Sequence, residues 1–435
     1  MKKLLMIANP FPPMASGGNN RLLRFLRYLP EYGWETTVLT ARAEGPEPLP
    51  DGVRIVRTAA PNPEGLYAAA RRLRRRAAAV PPLNGGPVGP VGGRDADRTA
   101  SATSADSRNG TAGTSPRGTI NRWLFIPDQY AGWIAPAVWQ GRRLLRAERY
   151  DALFSSCPRP STHLVAAALA RLSDVPWVAD YRDPWTTTQF RRFPTPAHRA
   201  AHARLEALAV ARTAAVIGVN EPIVADLLAR FPALAARPAQ VLPNGYDRDE
   251  AADDIDLGPG FWLVHTGRLY GRDEQLRLFL RAFSRLPDDV KILFLGVEGS
   301  MIRSIAATLR LVDRVRVEPF AAHSRALGCQ RAADALVLLT GRKPESLSSK
   351  VFEYLASFKP IFAVTPPGSE ARKLLDQAQA SRCAGPDEPL AGPLAQFVAD
   401  AREGRLGARD EHVVARYDAL MLTYKLSQVL DEVSG

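Results

Sequence analysis

The sequence predicts two doubly wound α/β domains within one chain of 435 residues. Short apolar runs alternate with amphipathic stretches of helical period, as in parallel sheets covered on both faces. The alternation runs once through the first half and begins afresh at Phe261-Trp262-Leu263-Val264-His265-Thr266. The length, at about 150 residues per domain, suits two or three domains with sizeable cores.

The first series opens with an apolar strand over 3–8 that Asn9-Pro10 stops. It is too short for the apolar core of a signal peptide, which needs at least ~7 residues. A helix over 18–30 follows Gly17-Gly18, and strands are predicted at 35–40 and 53–58. Residues 81–118 are mostly Gly, Pro, Ser, Thr, Ala, Asp and Arg. With so few large apolar side chains they cannot offset the entropy of ordering, so they read as a disordered insertion. Folded patterning resumes with helices at 134–148, 160–172, 197–212 and 221–230 and strands at 151–156, 176–180 and 214–219. In the second series strands fall at 261–266, 290–295, 314–318, 335–339 and 360–364. Its helices fall near 273–286, 300–311, 324–333, 349–358, 369–379 and 390–403. The domains are therefore 1–242 and 243–408, joined near 243–260, with a helix in 409–435 expected to return to the first domain. No internal repeat of 20–50 residues is visible.

Composition excludes several classes. The chain is 46% hydrophobic and 23% charged, ordinary for a globular protein and unlike a fibrous or disordered one. Cys157, Cys329 and Cys383 are odd in number and far apart. They form neither a disulfide framework nor a zinc site, which fits a reducing cytoplasm. No stretch approaches the ~20 apolar residues needed to span a bilayer.

The charge is unevenly placed. Residues 1–150 hold 22 Lys and Arg against 11 Asp and Glu, which accounts for nearly all of the net +12. That asymmetry points to an anionic partner for the first third of the chain. Its sharpest contributor is Leu66–Val80, where Leu66, Ala69, Ala70, Leu73, Ala77 and Val80 share one helical face and five arginines fill the rest. Such a helix suits an anionic membrane surface, or else packs its Leu/Ala stripe onto the domain. No RNA- or DNA-binding pattern accompanies it, so nucleic acid is not an expected partner. Asp95-Ala96-Asp97 and Asp254-Ile255-Asp256 look like metal-binding DxD pairs, but they fall in the insertion and a linker.

Ligands of doubly wound sheets bind outside the carboxyl ends of the strands, so the residues just after each run are the candidates. Gly17-Gly18 follow the first strand, where glycine lets the backbone approach a ligand and free N–H groups favour an anion. Thr266-Gly267-Arg268-Leu269-Tyr270-Gly271-Arg272 follow the first strand of the second domain. Arg268 is placed to hold a phosphate, and Arg272 either shares that task or pairs with Asp273 or Glu274. Third comes Glu345-Ser346-Leu347-Ser348-Ser349-Lys350-Val351-Phe352-Glu353. Ser348 or Ser349 can cap a helix whose first turn suits an anion, and Lys350 adds a positive charge there. Glu353, on an otherwise apolar helix, can accept from two neighbouring hydroxyls such as those of a ribose. No GxGxxG or GxxxxGKS pattern occurs, which argues against a dinucleotide dehydrogenase or a P-loop enzyme.

These motifs resemble those of the retaining glycosyltransferases of family 4, whose fold is GT-B, two Rossmann-like domains facing a central cleft. Glu345 and Glu353 are spaced as in the family's E-x7-E motif. Val241-Leu242-Pro243-Asn244-Gly245-Tyr246-Asp247 is similar to its V-x-P-N-G-V-D segment, and Thr266-Gly267-Arg268-Leu269 to its G-R-L segment. Lys350-Val351-Phe352-Glu353-Tyr354-Leu355-Ala356 resembles K-x-F-E-Y-L-A, and Ala179-Asp180-Tyr181-Arg182-Asp183-Pro184-Trp185 resembles the A-D-F-R-D-P-W of one branch. The resemblance implies metal-independent transfer of a sugar from a nucleotide-diphosphate donor to an acceptor hydroxyl, without a cofactor. Arg268 and Lys350 would hold the diphosphate, Glu353 the ribose and Glu345 the transferred sugar. Gly17, Gly18, Arg272, Ser348 and Ser349 would line the donor site, and Asp180 and Asp183 the acceptor side. The acceptor would be a saccharide, a lipid-linked saccharide or a small molecule. A cytoplasmic enzyme results, peripheral at the inner face of the plasma membrane if 66–80 attaches there. An epimerase or hydrolase of sugar nucleotides, or a non-catalytic nucleotide-sugar binder, would share this fold. The six histidines form no triad in sequence, and the leaving phosphate oxygen would itself take the acceptor's proton.

Overall fold

A computed structural model describes the chain apart from residues 15, 46–47, 62–122, 124, 189–191, 270–272, 342–346 and 380. The basic stretch 66–80 and the expected insertion 81–118 lie outside the described residues, as do Arg272 and Glu345. The chain divides into two compact units, Met1–Leu242 with Tyr424–Gly435, and Pro243–Thr423.

In the first unit β1 (Lys2–Ala8), β2 (Trp34–Ala41), β3 (Arg54–Thr58), β4 (Ala152–Cys157), β5 (Trp177–Tyr181), β6 (Ala215–Gly218) and β7 (Ala239–Val241) form one parallel sheet in the order β3-β2-β1-β4-β5-β6-β7. Its helices are α1 (Asn19–Tyr28), α2 (Ile134–Ala147), α3 (Pro160–Ser173), α4 (Pro196–Val210) and α5 (Glu221–Arg230). The second unit carries β8 (Phe261–Thr266), β9 (Val290–Leu295), β10 (Val315–Glu318), β11 (Ala335–Leu339), β12 (Ile361–Val364) and β13 (Ser381–Ala384). They run parallel in the order β10-β9-β8-β11-β12-β13. Around them lie α6 (Asp273–Phe283), α7 (Ser300–Thr308), α8 (His323–Ala332), α9 (Lys350–Ala356), α10 (Glu370–Gln377) and α11 (Ala391–Arg402), then α12 (Glu411–Ala415) and α13 (Ala419–Ser434). In both sheets the order reverses beside the first strand of the unit, which opens a crevice at the carboxyl ends there.

Burial explains why the strands read as continuous apolar runs. In the second unit Leu263, Ile292, Phe294, Val337 and Leu339 feed one core. Their neighbours Val264, Leu293, Leu295, Leu336 and Leu338 feed the core on the other face. Side chains alternate faces with period two, so a strand covered on both sides must be apolar throughout.

Two strands were not predicted. β7 is three residues long and only half-buried, and β13 exposes part of each of its first three residues. Edge strands bury little, so they leave little apolar signal. The single helix expected over 409–435 is two helices, and the second unit continues past residue 408 to Thr423. Between the helices the backbone at Tyr417–Ala419 pairs with Tyr246, whose N–H donates to Tyr417 O at 3.0 Å and whose O accepts from Ala419 N at 2.7 Å. Asp418 then accepts from Leu420 N at 3.0 Å at the start of α13 and pairs with Arg248 at 2.8 Å. Gly245 holds φ +66°, and a Cβ there would lie 2.5 Å from Tyr417 O, so the segment needs glycine.

α2 shows how closely the layers pack. Ala137, Gly141 and Leu144 face inward, and a Cβ on Gly141 would lie 2.5 Å from Leu169 Cδ1 of α3. Gly141→Val should therefore cost about 1–3 kcal/mol through overpacking, read as a lower denaturant midpoint with unchanged slope.

Candidate functional site

In the second unit the site grows from the turn after β8. Thr266 closes the strand and Gly267 follows at φ +82°, a conformation that favours glycine. A Cβ on Gly267 would lie 2.0 Å from Lys350 Cε and 2.2 Å from Lys350 Nζ. The ammonium at the start of α9 thus lies directly over the main chain beside Arg268. Gly296, at the end of β9 with φ +82°, approaches the same turn: its Cβ would lie 3.2 Å from Gly267 Cα.

The turn is pinned from beneath. Gly267 N donates to Leu295 O at 2.6 Å. The fully buried His265 has Nε2 3.1 Å from Gly267 O and Nδ1 2.9 Å from Val337 O. Tyr354 OH accepts from Thr266 N at 2.8 Å, and Gln330 Nε2 donates to Thr266 Oγ1 at 3.0 Å and to Glu353 Oε2 at 3.4 Å. Residues from β8, α8 and α9 are thereby held in one network, and Lys350 and Glu353, three apart on α9, share a helix face.

Glu353 lines a cavity of about 430 Å³ with Tyr246, Arg248, Gln330, Arg331 and Phe358. Tyr246 of the 241–247 motif thus meets the carboxylate singled out on an otherwise apolar helix. Ser348 and Ser349 stand at the start of α9. Ser349 occupies the N-cap without a side-chain cap bond, and Ser348 Oγ accepts from Lys350 N at 3.4 Å. Arg268 is half-buried.

In the first unit the loop after β1 is fixed by charge. Asp180, at the end of β5, exposes nothing: it accepts from Arg21 Nε at 3.1 Å, Arg21 Nη2 at 2.9 Å and Ser156 Oγ at 2.7 Å. Its carboxylate is enclosed by α1 and β4, so an acceptor would meet Asp180 only through the loop it positions. Asp183 is half-buried two residues beyond β5.

Arg182, not singled out in the sequence, does more. Its Nε donates to Cys157 O at 2.7 Å and its Nη1 to Gly18 O. A Cβ on Gly18 would lie 1.8 Å from that Nη1, whereas one on Gly17 would meet nothing within 4 Å. Only Gly18 is required by packing. Burial lowers the Arg182 pKa from the ordinary arginine value, partly offset by Asp180 and Asp183. Arg57 staples the loop from the other side, donating to Pro12 O and to Ala41 O at 3.2 Å. Arg182 lies within the 179–185 motif, but neither its role nor that of Arg57 was legible there, because both arginines act on main-chain carbonyls.

His163 is not set up as a base. His163 has Nδ1 2.7 Å from Ser155 Oγ, but both are wholly buried, and desolvation drives His163 down to about 3, against a weaker upward pull from Asp180. His202 is buried against Trp185, and His323 Nε2 lies 3.0 Å from Glu250 Oε2.

Residues 103–250 match the family model of Glycosyltransferase Family 4. No curated protein matches the chain. Among solved structures, HepE of Anabaena in complex with UDP and glucose is similar over 99% of this chain and 100% of its own, with TM-score 0.64 and 15% identity. Sucrose-phosphate synthase of Thermosynechococcus elongatus is similar over 99% of each chain, with TM-score 0.63 and 14% identity. A glycosyltransferase of Rickettsia africae is similar over 99% of this chain and 98% of its own, with TM-score 0.58 and 12% identity. The fold is α/β of GT-B type, as the motif resemblance to family 4 implied.

Two outcomes follow for stability. Asp180→Ala leaves the Arg21 guanidinium buried without its carboxylate, so it should cost about 3–5 kcal/mol in denaturant unfolding. Gly267→Ala should cost about 1–2 kcal/mol from its left-handed backbone alone, more if Lys350 cannot withdraw.

Proposed function

We propose that this chain is a retaining glycosyltransferase that moves a sugar from a nucleotide-diphosphate donor to an acceptor hydroxyl. The observation that carries the reading is the Lys350 ammonium seated on Gly267, next to Arg268 and one helical turn from Glu353. That is a cationic notch at the carboxyl end of the first strand of a doubly wound sheet, where such folds bind ligands. HepE, with the same fold, holds UDP and glucose in one structure and UDP-glucose in another, so uridine diphosphate is the first donor nucleotide to test.

In this reading Arg268 and Lys350 face the pyrophosphate, Glu353 accepts from the ribose hydroxyls and Glu345 orients the transferred sugar. Ser348, Ser349 and Arg272 complete the donor side, and Gly17 and Gly18 offer main chain to the phosphates or to the incoming acceptor. As the bond from the sugar's anomeric carbon to the phosphate oxygen breaks, that oxygen gains negative charge. The two cations stabilise it where it forms, without a metal or cofactor. The same oxygen takes the proton of the acceptor hydroxyl as the new bond closes on the same face, which retains the anomeric configuration. No protein base is needed, in keeping with the buried, neutral His163.

The acceptor is a saccharide, a lipid-linked saccharide or a small molecule in glycan, glycolipid or natural-product synthesis. The enzyme works in the cytoplasm, with residues 66–80 attaching it to the inner face of the plasma membrane. Among the described residues, no helix is long and apolar enough to cross a membrane.

Arg268→Ala should raise the transfer barrier by about 2 kcal/mol or more, a roughly 30-fold or larger loss of kcat/KM. A screen of nucleoside diphosphates by thermal shift should single out the donor nucleotide, since a ligand of the folded state stabilises by mass action. Unchanged turnover in Arg268→Ala would reject the phosphate assignment. Free nucleotide with epimerised sugar, formed without acceptor, would replace transferase by epimerase.

A further inference from the structure

α2 of the first unit has two unlike faces. Ala137, Gly141 and Leu144 are buried against the domain. On the opposite side Trp139, Arg142, Arg143 and Arg146 all lie exposed, Trp139 at 62%. Their spacing, i, i+3, i+4 and i+7, aligns them as one stripe along the helix. The Arg143 guanidinium lies over the Trp139 ring, 4.8 Å from its centroid. The helix itself contains no acidic residue. Of the acids that follow it, Glu148 pairs with Lys3 and Arg54, and Asp151 lies 3.6 Å from Arg149. Among the described residues, Arg142, Arg143 and Arg146 have no carboxylate partner.

An ordinary solvated helix face mixes charges of both signs at i and i+4, and it does not leave most of a Trp in water. This stripe is cationic throughout and carries the one residue type best suited to the headgroup region, an apolar ring with a polar edge. Arginines around it match phosphates on a plane. The chain's excess positive charge lies in the same first 150 residues. A lone exposed aromatic offers no run of stacking platforms, which disfavours single-stranded nucleic acid.

We propose that the Trp139–Arg146 stripe of α2 is a docking face for an anionic bilayer surface, with the Trp139 ring inserted at headgroup depth and the three arginines on lipid phosphates. The assignment uses only the first unit and does not rest on the donor site. It uses none of residues 66–80, so variants of the two stretches can be compared.

The test is binding of the full-length chain to vesicles of phosphatidylcholine with phosphatidylglycerol at low salt, beside vesicles of phosphatidylcholine alone. It is read both in the natural chain and in one with Arg71, Arg72, Arg74, Arg75 and Arg76 changed to Gln. At about 1 kcal/mol for each arginine near an anionic surface, Arg142→Gln, Arg143→Gln and Arg146→Gln together should weaken binding roughly 100-fold in both backgrounds. The blue shift of tryptophan emission on binding should disappear in Trp139→Phe. Unchanged melting temperatures establish that these surface variants fold, and unchanged turnover of donor with a soluble acceptor separates this face from the donor site. The proposal is overturned if the triple variant binds as tightly as its parent. Binding to duplex DNA in place of vesicles, or complete loss of vesicle binding in the Arg71–Arg76 variant alone, overturns it equally.

Discussion

A lysine ammonium resting on a glycine α-carbon is the contact from which the second unit's site is built. Gly267 and Lys350 are far apart in sequence, yet no methyl group fits between them. That contact exists only because Gly267 takes a left-handed turn, and the turn persists only because its neighbours are fixed. His265 sits beneath the Gly267 carbonyl, Leu295 takes the Gly267 N–H, and Tyr354 takes the N–H of Thr266. Three of these partners lie in separate strands or helices, so the notch is as rigid as the sheet. Rigidity matters for the proposed chemistry, because a charge that is already in place need not reorganise as the leaving group becomes negative.

The first unit repeats the device with different chemistry. There too a cation from a later element lies against a glycine beyond the first strand, Arg182 against Gly18. But that guanidinium donates to the Gly18 and Cys157 carbonyls and so acts as a clamp. Asp180 is a clamp as well, holding Arg21 and hence α1. The Asp180–Asp183 segment therefore sets the shape of the loop after β1, while in the second unit the corresponding cation lies over the turn after β8. A planar fork suits the first task, since two carbonyls can be held at once, and a point charge suits the second.

How much of this was legible in the sequence follows from what each residue touches. The central strands declared themselves because burial on both faces forces every position to be apolar, as in Ala335–Leu339. β7 and β13 did not, since edge strands are only partly buried. Arg268, Lys350 and Glu353 stood out because glycine turns and a polar residue on an apolar helix are local signals. Arg182 and Arg57 did not, because a side chain that binds a distant main-chain carbonyl leaves no pattern in the residue it holds. The break at Tyr417–Asp418 was hidden for the same reason: it depends on pairing with Tyr246, not on any helix-breaking residue nearby.

The two lines of support for a sugar-transfer function fall on different parts of the chain. The family match ends at residue 250, before any of the donor-side residues of the second unit begins. The notch built by Gly267, Lys350 and Glu353 therefore owes nothing to that match, and its convergence comes from the geometry of β8, α8 and α9 alone. A charge held at the carboxyl end of the first strand of a doubly wound sheet lies where such folds bind their ligands, which is why an anionic donor is the one to test against it.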